Sequence, residues 1–523
     1  MDFPGTAPSA FLERLIGQDH IGGIVLFRKN VASPTQVAAL AAALQAIARD
    51  ARGSPLWVAI DHEGGMVTRF PGGTAAGAGP RATALPSAMA LGAAGDPALA
   101  RQAGQVAGRE LRAMGIHLNF APVLDVNSNP ANPVIGVRAF GETPSLVEAM
   151  GLAYIAGLQD AGVAATAKHF PGHGDVTVDS HVGLPRVNHG LDRLETVELP
   201  PFAAAVRAGA AAIMTAHIVH PALDPSGVPA TMSAPILSGI LRERLGFRGL
   251  VCTDSMGMRA IVDHFGVGDA AVASVKAGCD VVLALGPEAL QEEVLAHLAG
   301  AIESGEIAGE RVAEALARID AAASRWVRGR ALDAAAPAAA SPPADLSGAV
   351  GTADHQDTAE RIAAAAVTLV RDRAGVTPLT GARIGVVAVA QDSEEWARPD
   401  LAGLLRRHGA TVREYAAQDS LSGVDHVIAV TCSRGTLPPA QVEAVKALYR
   451  QTRDRLVVVA TGDPYDLLPF PEIPTYLVTY GSDETSLDAA AQVLLGGIPP
   501  RGHLPVSLPG AYPLGHGLTG RSR

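Results

Sequence analysis

The sequence is poor in cysteine, since only Cys252, Cys279 and Cys432 occur in 523 residues. An odd number of widely separated cysteines, with no paired spacing, argues against both a disulfide framework and a zinc-binding motif. Such cysteine usage is typical of proteins in a reducing compartment. We therefore expect a cytoplasmic protein that needs no metal and no other cofactor.

The sequence also lacks long apolar runs and long basic runs. No stretch approaches about 18 consecutive apolar residues, so no transmembrane helix is predicted, and the N-terminus lacks the basic and apolar segments of a signal peptide. The opening Met1-Asp2-Phe3 is typical of the end of a strand, so secretion directed by upstream residues stays open as an alternative. The net charge is −11, and no Lys- and Arg-rich run could follow a phosphate backbone, so nucleic acid is not an expected partner.

Short apolar runs alternate with Ala- and Leu-rich helical segments over residues 1–332. Continuously apolar strands that are separated by helices indicate a parallel sheet covered on both faces. Seven such strands are predicted: Ile21–Phe27, Leu56–Asp61, His117–Val126, Ala164–Phe170, Ala211–Ile218, Gly249–Ser255 and Asp280–Leu285. With Met1–Phe3 as the frayed end of an eighth strand, they predict an α/β fold, a (β/α)8 TIM-type barrel.

A second domain is predicted after the barrel. Residues 333–346 are rich in Ala and Pro, lack apolar periodicity and are predicted to form a semi-rigid linker. Strands and helices alternate again in residues 347–523, where the predicted strands are Arg383–Val389, Val424–Thr431, Leu456–Ala460, Thr475–Thr479 and Leu504–Leu508. This pattern predicts a smaller α/β sandwich with helices on both faces of its sheet.

Polar side chains cluster where the predicted barrel strands end: Asp61-His62-Glu63, Asp125, Lys168-His169, His217 and Asp254-Ser255. In a barrel, the carboxyl ends of the strands converge on one rim, where active sites lie. In an open sheet, the ligand would bind in a single crevice instead. The distribution favours the barrel and predicts an active site on that rim.

Asp254 ends the apolar run Leu250–Thr253. A carboxylate at the carboxyl end of a barrel strand points into the mouth of the barrel and can attack an electrophilic carbon. The alternative is that Asp254 caps the helix that follows, because Asp favours that position.

The segment Asp179-Ser180-His181 carries a second candidate pair. An Asp two residues before a His can accept the imidazole N–H, which fixes the tautomer and makes the other nitrogen more basic. Such a His can donate a proton to a leaving group and later accept one from water. A structural role for His181 on a surface loop is the alternative.

Five further residues are candidate substrate contacts, because carboxylate, guanidinium and ammonium groups can bind sugar hydroxyls or a carbonyl oxygen: Asp61, Arg69, Arg138, Lys168 and His169. Each could instead belong to a structural ion pair. A metal site is a weaker alternative, because its possible ligands match no common zinc motif and adjoin the positive Lys168. Those possible ligands are His169, His173, Asp175, Asp179 and His181.

Several motifs together resemble family 3 glycoside hydrolases, and more narrowly their β-N-acetylglucosaminidase branch. Their order and spacing match over essentially the whole chain: Asp61–Gly65, Lys168–Asp175, Asp179–His181 and Thr253–Met256, followed near the C-terminus by Gly462–Tyr465 and Leu504–Pro509. The sequence departs from many relatives at Met66, where they carry Arg, and one cation near the site is thereby lost.

The resemblance implies a retaining glycoside hydrolase of the exo-acting β-N-acetylhexosaminidase type. Asp254 would be the nucleophile, and His181, held by Asp179, would be the acid/base. The five candidate contacts would hold N-acetylglucosamine. The implied substrates are cell-wall fragments, in which this sugar is β-linked to muramic acid, or chitin-type glycosides.

Two other functions remain open at this point. A phosphorylase could use the same site, because a neutral imidazole would not repel a phosphate nucleophile as a carboxylate would. A non-catalytic sugar-binding protein could share the scaffold, because fold alone does not establish activity. Such a protein, however, has no need of Asp254 together with an Asp–His pair.

Overall fold

A computed structural model describes residues 1–70, 80–328, 345–389 and 400–519. Its first sheet has seven parallel strands that pair in the order of the chain and curl into a barrel. The strands are β1 (Gly23–Leu26), β2 (Trp57–Ile60), β3 (Leu118–Asn119), β4 (Ala164–Phe170), β5 (Ala212–Thr215), β6 (Leu250–Ser255) and β7 (Val281–Leu283). The predicted fold class, a TIM-type barrel followed by a smaller α/β sandwich, is confirmed, although most strands are shorter than predicted.

The helices of the first unit cover the outside of the sheet. They are α1 (Ala10–Gly17), α2 (Pro34–Arg52), α3 (Ala88–Ala94), α4 (Pro97–Ala113), α5 (Pro144–Asp160), α6 (Leu191–Thr196), α7 (Leu199–Arg207), α8 (Arg259–Val262), α9 (Val267–Ala277), α10 (Glu288–Glu303) and α11 (Gly309–Trp326). Shorter helical turns lie at Arg28–Asn30, Gly136–Arg138 and Ala230–Met232, and a π-helix covers Pro235–Arg244. None of these helices, nor any other in the described ranges, has both the length and the apolar character needed to cross a membrane.

Local sequence signals set the ends of these helices. In α2, the Ser33 hydroxyl accepts a hydrogen bond from the Gln36 N–H and Pro34 occupies the first turn, while Gly53 ends the helix in a left-handed conformation. Such caps satisfy backbone groups that the helix itself leaves without partners.

The barrel interior is apolar at the amino ends of its strands. Leu118, Ala164, Ala212 and Leu250, each the first residue of its strand, pack in one cluster with Trp326 of α11. This packing closes one end of the barrel and leaves the polar residues to the opposite rim.

The predicted eighth strand is not formed in the described residues. Met1 is hydrogen-bonded to β1, through its amino group to the Gly23 carbonyl and through its carbonyl to the Val25 N–H. The Asp2 carboxylate accepts a hydrogen bond from the Gly286 N–H, beyond β7. Met1–Phe3 therefore lies between the first and last strands without strand geometry.

The second unit is built on a six-stranded mixed sheet in the order β10-β9-β11-β12-β13-β8. Its strands are β8 (Thr368–Asp372), β9 (Arg383–Ala388), β10 (Thr411–Glu414), β11 (His426–Thr431), β12 (Leu456–Ala460) and β13 (Thr475–Val478); its helices are α12 (Ala353–Ala366), α13 (Leu401–Arg407), α14 (Pro439–Thr452) and α15 (Glu484–Leu495). The predicted strand Leu504–Leu508 is wrong, because only Leu508 forms a bridge, to Tyr512. The predicted linker lies outside the described residues except for its last two.

The two units share a continuous apolar contact. Met89, Ala90 and Ala93 of α3 pack in the same cluster as residues on one face of the second sheet. Met66 packs against this cluster as well. The residue that departs from the family pattern therefore packs against the apolar cluster that the two units share.

Candidate active site

The structure places the candidate residues around the carboxyl ends of neighbouring barrel strands. Lys168 and His169 lie in β4, and Asp254 lies in β6. Asp61 follows β2 directly, while Asp179 and His181 lie on the long connection after β4. The parallel sheet thus brings together residues from four separate parts of the chain.

Asp254 lies among three imidazoles. Burial by itself would raise the pKa of the Asp254 carboxyl, but electrostatic interaction with His169, His217 and His181 outweighs this effect and lowers the pKa to about 2. His169 is nearest, with its Nε2 atom 4.0 Å from an oxygen of Asp254. Asp254 is therefore an ionised carboxylate at neutral pH. It does not cap a helix, because the next helix begins at Arg259 and its N-cap residue is Met258.

Asp125 holds the backbone and side chain that face Asp254. One of its oxygens accepts hydrogen bonds from the His169 N–H, at 3.1 Å, and the His173 N–H, at 2.7 Å. The other accepts one from His169 Nδ1 at 2.7 Å. These contacts fix the ring of His169 with its Nε2 atom directed at Asp254.

Asp179 and His181 form the predicted pair. The Asp179 Oδ1 atom accepts hydrogen bonds from His181 Nδ1 and from the His181 backbone N–H, both at 2.8 Å. The Asp179 hydrogen bond raises the pKa of His181 above its ordinary value, against the opposing effect of burial. The His181 side chain is 60% exposed, and its Nδ1 atom is the one that contacts Asp179.

The loop that carries His181 is held by buried contacts at its base. His173 Nε2 lies 3.0 Å from the hydroxyl oxygen of Ser180, and both residues are buried. At Gly174, an added Cβ would lie 1.7 Å from the carbonyl oxygen of Val126. Only glycine permits this approach between the loop and the segment after β3.

The substrate-contact candidates form an ion-pair network beside the Asp254 site. Lys168 Nζ lies 2.7 Å from an Asp61 oxygen and 2.6 Å from a Glu63 oxygen. Arg138 binds Glu63 through two parallel contacts of 2.9 Å, and Arg69 lies 3.2 Å from Asp61. Burial alone would raise the pKa of both carboxyls, but Lys168 and the arginines hold these pKa values below the ordinary range.

Glu63, His217 and Asp125 lie at or just after predicted strand ends, but the sequence alone predicts no role for them. Glu63 joins two of the predicted contacts, Lys168 and Arg138. His217 accepts or donates through Nδ1 to the Thr231 hydroxyl at 2.8 Å, and its Nε2 donates to the Ser255 carbonyl at 2.9 Å. Their positions at the ends of predicted strands are the sequence feature from which a role in the site could have been predicted.

The five possible metal ligands do not converge. Asp175 lies against His189 at 2.7 Å, His173 contacts Ser180, and His169 contacts Asp125. In the ranges that the structure describes, no group of three or more such side chains could hold an ion.

Family models match both units of the chain. The Glycosyl hydrolase family 3 N terminal domain matches residues 1–322, and the Glycosyl hydrolase family 3 C-terminal domain matches residues 280–513. The chain belongs to glycoside hydrolase family 3. It is a glycoside hydrolase of the β-hexosaminidase branch of this family, which confirms the resemblance drawn from its motifs.

Related family 3 proteins cover different shares of the chain. A Beta-hexosaminidase A of Pseudoalteromonas piscicida is 38% identical over 70% of this chain, which spans 62% of that relative. A Beta-hexosaminidase of Xylella fastidiosa (strain M23) is 42% identical over 57% of this chain and 85% of its own. The solved family 3 beta-N-acetylglucosaminidase from Paenibacillus sp. str. FPU-7 superposes with a TM-score of 0.88, is 39% identical and covers 97% of both chains.

Proposed function

We propose that this protein is a retaining exo-β-N-acetylglucosaminidase that removes terminal N-acetylglucosamine from cell-wall or chitin-type glycosides. The observation that carries the proposal is the joint placement of an ionised Asp254 and an Asp179–His181 pair at one rim of the barrel. The names of the relatives, beta-hexosaminidase and beta-N-acetylglucosaminidase, support the choice of sugar.

In the first step, an oxygen of Asp254 attacks the anomeric carbon of the sugar. The bond between that carbon and the glycosidic oxygen breaks, and its electron pair goes to the oxygen. The imidazolium of His181 gives its Nε2 proton to the same oxygen, which leaves as a neutral hydroxyl. The product is a covalent glycosyl-enzyme on Asp254.

In the second step, water displaces the Asp254 carboxylate from the anomeric carbon. The neutral His181 takes a proton from water while the water oxygen attacks the anomeric carbon, and Asp254 leaves as a carboxylate. Two displacements at one carbon retain its configuration. His181 ends the cycle protonated, as it began.

An imidazole in place of a second carboxylate changes how the acid is tuned. Retaining glycosidases that use two carboxyl groups must raise the pKa of one of them to keep its proton. The ordinary pKa of an imidazole is already near neutrality, and the hydrogen bond to Asp179 raises the pKa of His181 further. No repulsion between anions is needed to hold the proton.

The ion-pair network supplies the polar atoms that would hold the sugar. Asp61 has two oxygens that can each accept a sugar hydroxyl, while Lys168 and Arg138 can donate. These groups are already paired and fixed in place before the substrate binds, so little ordering free energy is lost on binding.

Hydrolysis is tested by the release of nitrophenol from its β-N-acetylglucosaminide and its β-glucoside, each with and without phosphate. We expect rapid cleavage of the N-acetylglucosaminide, unchanged by phosphate, with free sugar as product. Acceleration by phosphate, with sugar 1-phosphate as product, would make the protein a phosphorylase. Cleavage of neither glycoside would contradict the proposal and favour a sugar-binding protein.

A further inference from the structure

The motif Gly462–Tyr465, after β12 of the second unit, lies against the barrel, and the mechanism above gives it no part. Its Asp463 is completely buried. The Asp463 Oδ1 atom accepts a hydrogen bond from the Val137 N–H of the barrel at 2.7 Å. The Oδ2 atom accepts one from the Gly435 N–H of the second unit at 2.5 Å. One carboxylate therefore joins the two units through backbone groups.

The barrel side of this contact is the turn that carries Arg138. Val137 precedes Arg138 in the helical turn Gly136–Arg138. Gly136 adopts a φ of +45°, and a Cβ added there would lie 2.4 Å from an oxygen of Asp463. The carboxylate thus fills the space against the turn, and glycine is the residue that leaves room for it.

Arg138 in turn belongs to the ion-pair network that we propose holds the sugar. Its guanidinium binds Glu63 through two contacts of 2.9 Å, and Glu63 lies 2.6 Å from Lys168. A paired contact of this kind requires the guanidinium plane to be set within narrow limits. A shift of the Val137 backbone would therefore be passed to the groups that meet the substrate.

Burying the ionised carboxylate of Asp463 at this position costs free energy, because the charge is removed from water. Burial raises the pKa of Asp463 to about 6, although the two N–H groups and the charge of Arg434 oppose that rise. Asp466, also buried, lies close enough to interact electrostatically with it. An amide would avoid the cost of burying charge but could accept from only one N–H, because its other group is itself a donor.

From this geometry we infer that Asp463 of the second unit is a positioning residue that sets Arg138 for sugar binding by the barrel. The inference rests on the proposed function, since it assumes that Arg138 contacts the bound sugar. It gives the second unit a role in substrate affinity that does not require any of its own side chains to touch the substrate.

The test is a comparison of KM and kcat for nitrophenyl β-N-acetylglucosaminide in Asp463→Asn and in Tyr465→Phe. The control removes a neighbouring contact between the units, because the Tyr465 hydroxyl accepts from Asn127 Nδ2 at 2.9 Å, whereas Asp463 accepts from Val137 in the Arg138 turn. We expect Asp463→Asn to raise KM about five- to tenfold with little change in kcat. Tyr465→Phe should leave KM unchanged even where its melting temperature falls.

A double-mutant cycle identifies the route of the effect. If Asp463 acts through Arg138, then Asp463→Asn should raise KM no further in an Arg138→Ala background. Independent, multiplying effects of the two substitutions would overturn the inference, as would an unchanged KM in Asp463→Asn. If Asp463→Asn fails to fold, Asp463→Glu replaces it, because it retains the carboxylate and displaces it relative to the turn while leaving the turn's own sequence unchanged.

A failure of the proposed function can be distinguished from a failure of the positioning role. If the wild type cleaves the β-glucoside instead of the N-acetylglucosaminide, the choice of sugar is wrong. The same variants are then compared on the β-glucoside. Positioning is still supported if Asp463→Asn raises KM, Tyr465→Phe does not, and Asp463→Asn has no further effect in the Arg138→Ala background. An equal KM in wild type and Asp463→Asn on the glycoside that is cleaved overturns it.

Discussion

Single residues in the candidate site sort into two electrostatic groups. On one side, Asp61 and Glu63 are neutralised by Lys168 and by arginines. On the other side, Asp254 is surrounded by imidazoles, so it stays ionised at neutral pH. The first group suits the binding of neutral sugar hydroxyls, and the second suits attack on a carbon that becomes positive in the transition state.

The pH dependence of activity tests the role of Asp179. Because the Asp179 contact raises the pKa of His181, His181 stays protonated to a higher pH than an isolated imidazole. The kcat/KM for a β-linked N-acetylglucosamine disaccharide should therefore fall as the pH rises through this raised value. In Asp179→Asn the fall should begin at a lower pH, and kcat/KM at neutral pH should drop about 10- to 100-fold.

A substrate with an activated leaving group provides the control for this profile. A dinitrophenyl glycoside needs little proton donation, so its kcat/KM should depend less on His181. An alkaline limb that stays in place when Asp179 is replaced would remove this pair from the acid role.

The sequence points to individual candidate residues of the site but not to their partners. The end of an apolar run located Asp254, and the motif spacing located the Asp179–His181 pair. The partners of His169 and Arg138 come from distant segments: Asp125 is 44 residues from His169, and Glu63 is 75 residues from Arg138. No local pattern encodes such contacts, because they form only when the strands assemble into the barrel.

Among the structural elements, the connection after β4 is closely packed at its base. It carries His181, and the glycines Gly172, Gly174 and Gly183 of its sequence predict a loop that could carry His181 in and out of the site. The motion stays a prediction, but the base of the connection is tightly packed, because Gly174 lies against Val126 and the Ser180 hydroxyl contacts His173.

Gly174→Ala tests this close packing. The new methyl group would collide with the Val126 carbonyl, and neither backbone can move without disturbing Asp125 or its contacts. We expect the free energy of unfolding to fall by about 1–3 kcal/mol and kcat to fall with it, as measured by thermal melting and nitrophenyl glycoside cleavage. Gly190→Ala is the matched control, because an added Cβ there meets nothing within 4 Å. Equal stability in both variants would contradict the packing argument.

Two strands of the second unit escaped sequence prediction for physical reasons. The four residues of β10 are exposed or half-buried, so they show no apolar run. β8 follows α12 with one intervening residue and pairs antiparallel to β13, so neither a turn signal nor the β-α alternation marks it. Both lie at the edges of the sheet, where each pairs with one neighbour.

For the whole molecule, the second unit is bound to the barrel by buried polar contacts as well as by apolar packing. The Glu110 carboxylate of α4 accepts hydrogen bonds from the Thr83 N–H and hydroxyl, from the Gly351 N–H and from His355 Nδ1. Gly351 and His355 precede the second sheet. The boundaries assigned to the two domains from the sequence stay predictions.

The stability of this contact should depend on pH. Burial would raise the pKa of Glu110, but the hydrogen bonds from His355 and Thr83 outweigh it and lower this pKa from 4.5. A lowered pKa means that the contribution to stability is present above about pH 4.5 and is lost as the pH falls through the folded value.

Glu110→Gln should therefore lower the free energy of unfolding by about 1–3 kcal/mol at neutral pH. The difference from wild type should shrink in acid, where the wild-type carboxyl is protonated. Thermal melting over this pH range measures both effects, and Glu360→Gln on the exposed side of α12 is the control. A constant difference at all pH values would contradict the assigned charge of Glu110.

The proposed mechanism depends most on Asp254 as the nucleophile, and covalent trapping tests this role directly. A 5-fluoro glycosyl fluoride of N-acetylglucosamine slows both chemical steps but retains a good leaving group, so the glycosyl-enzyme should accumulate. Peptide mass spectrometry should find one fluorosugar on the peptide that contains Asp254, and none in Asp254→Ala. A sugar attached to another residue, or turnover of natural substrates with no adduct on Asp254, would contradict the mechanism.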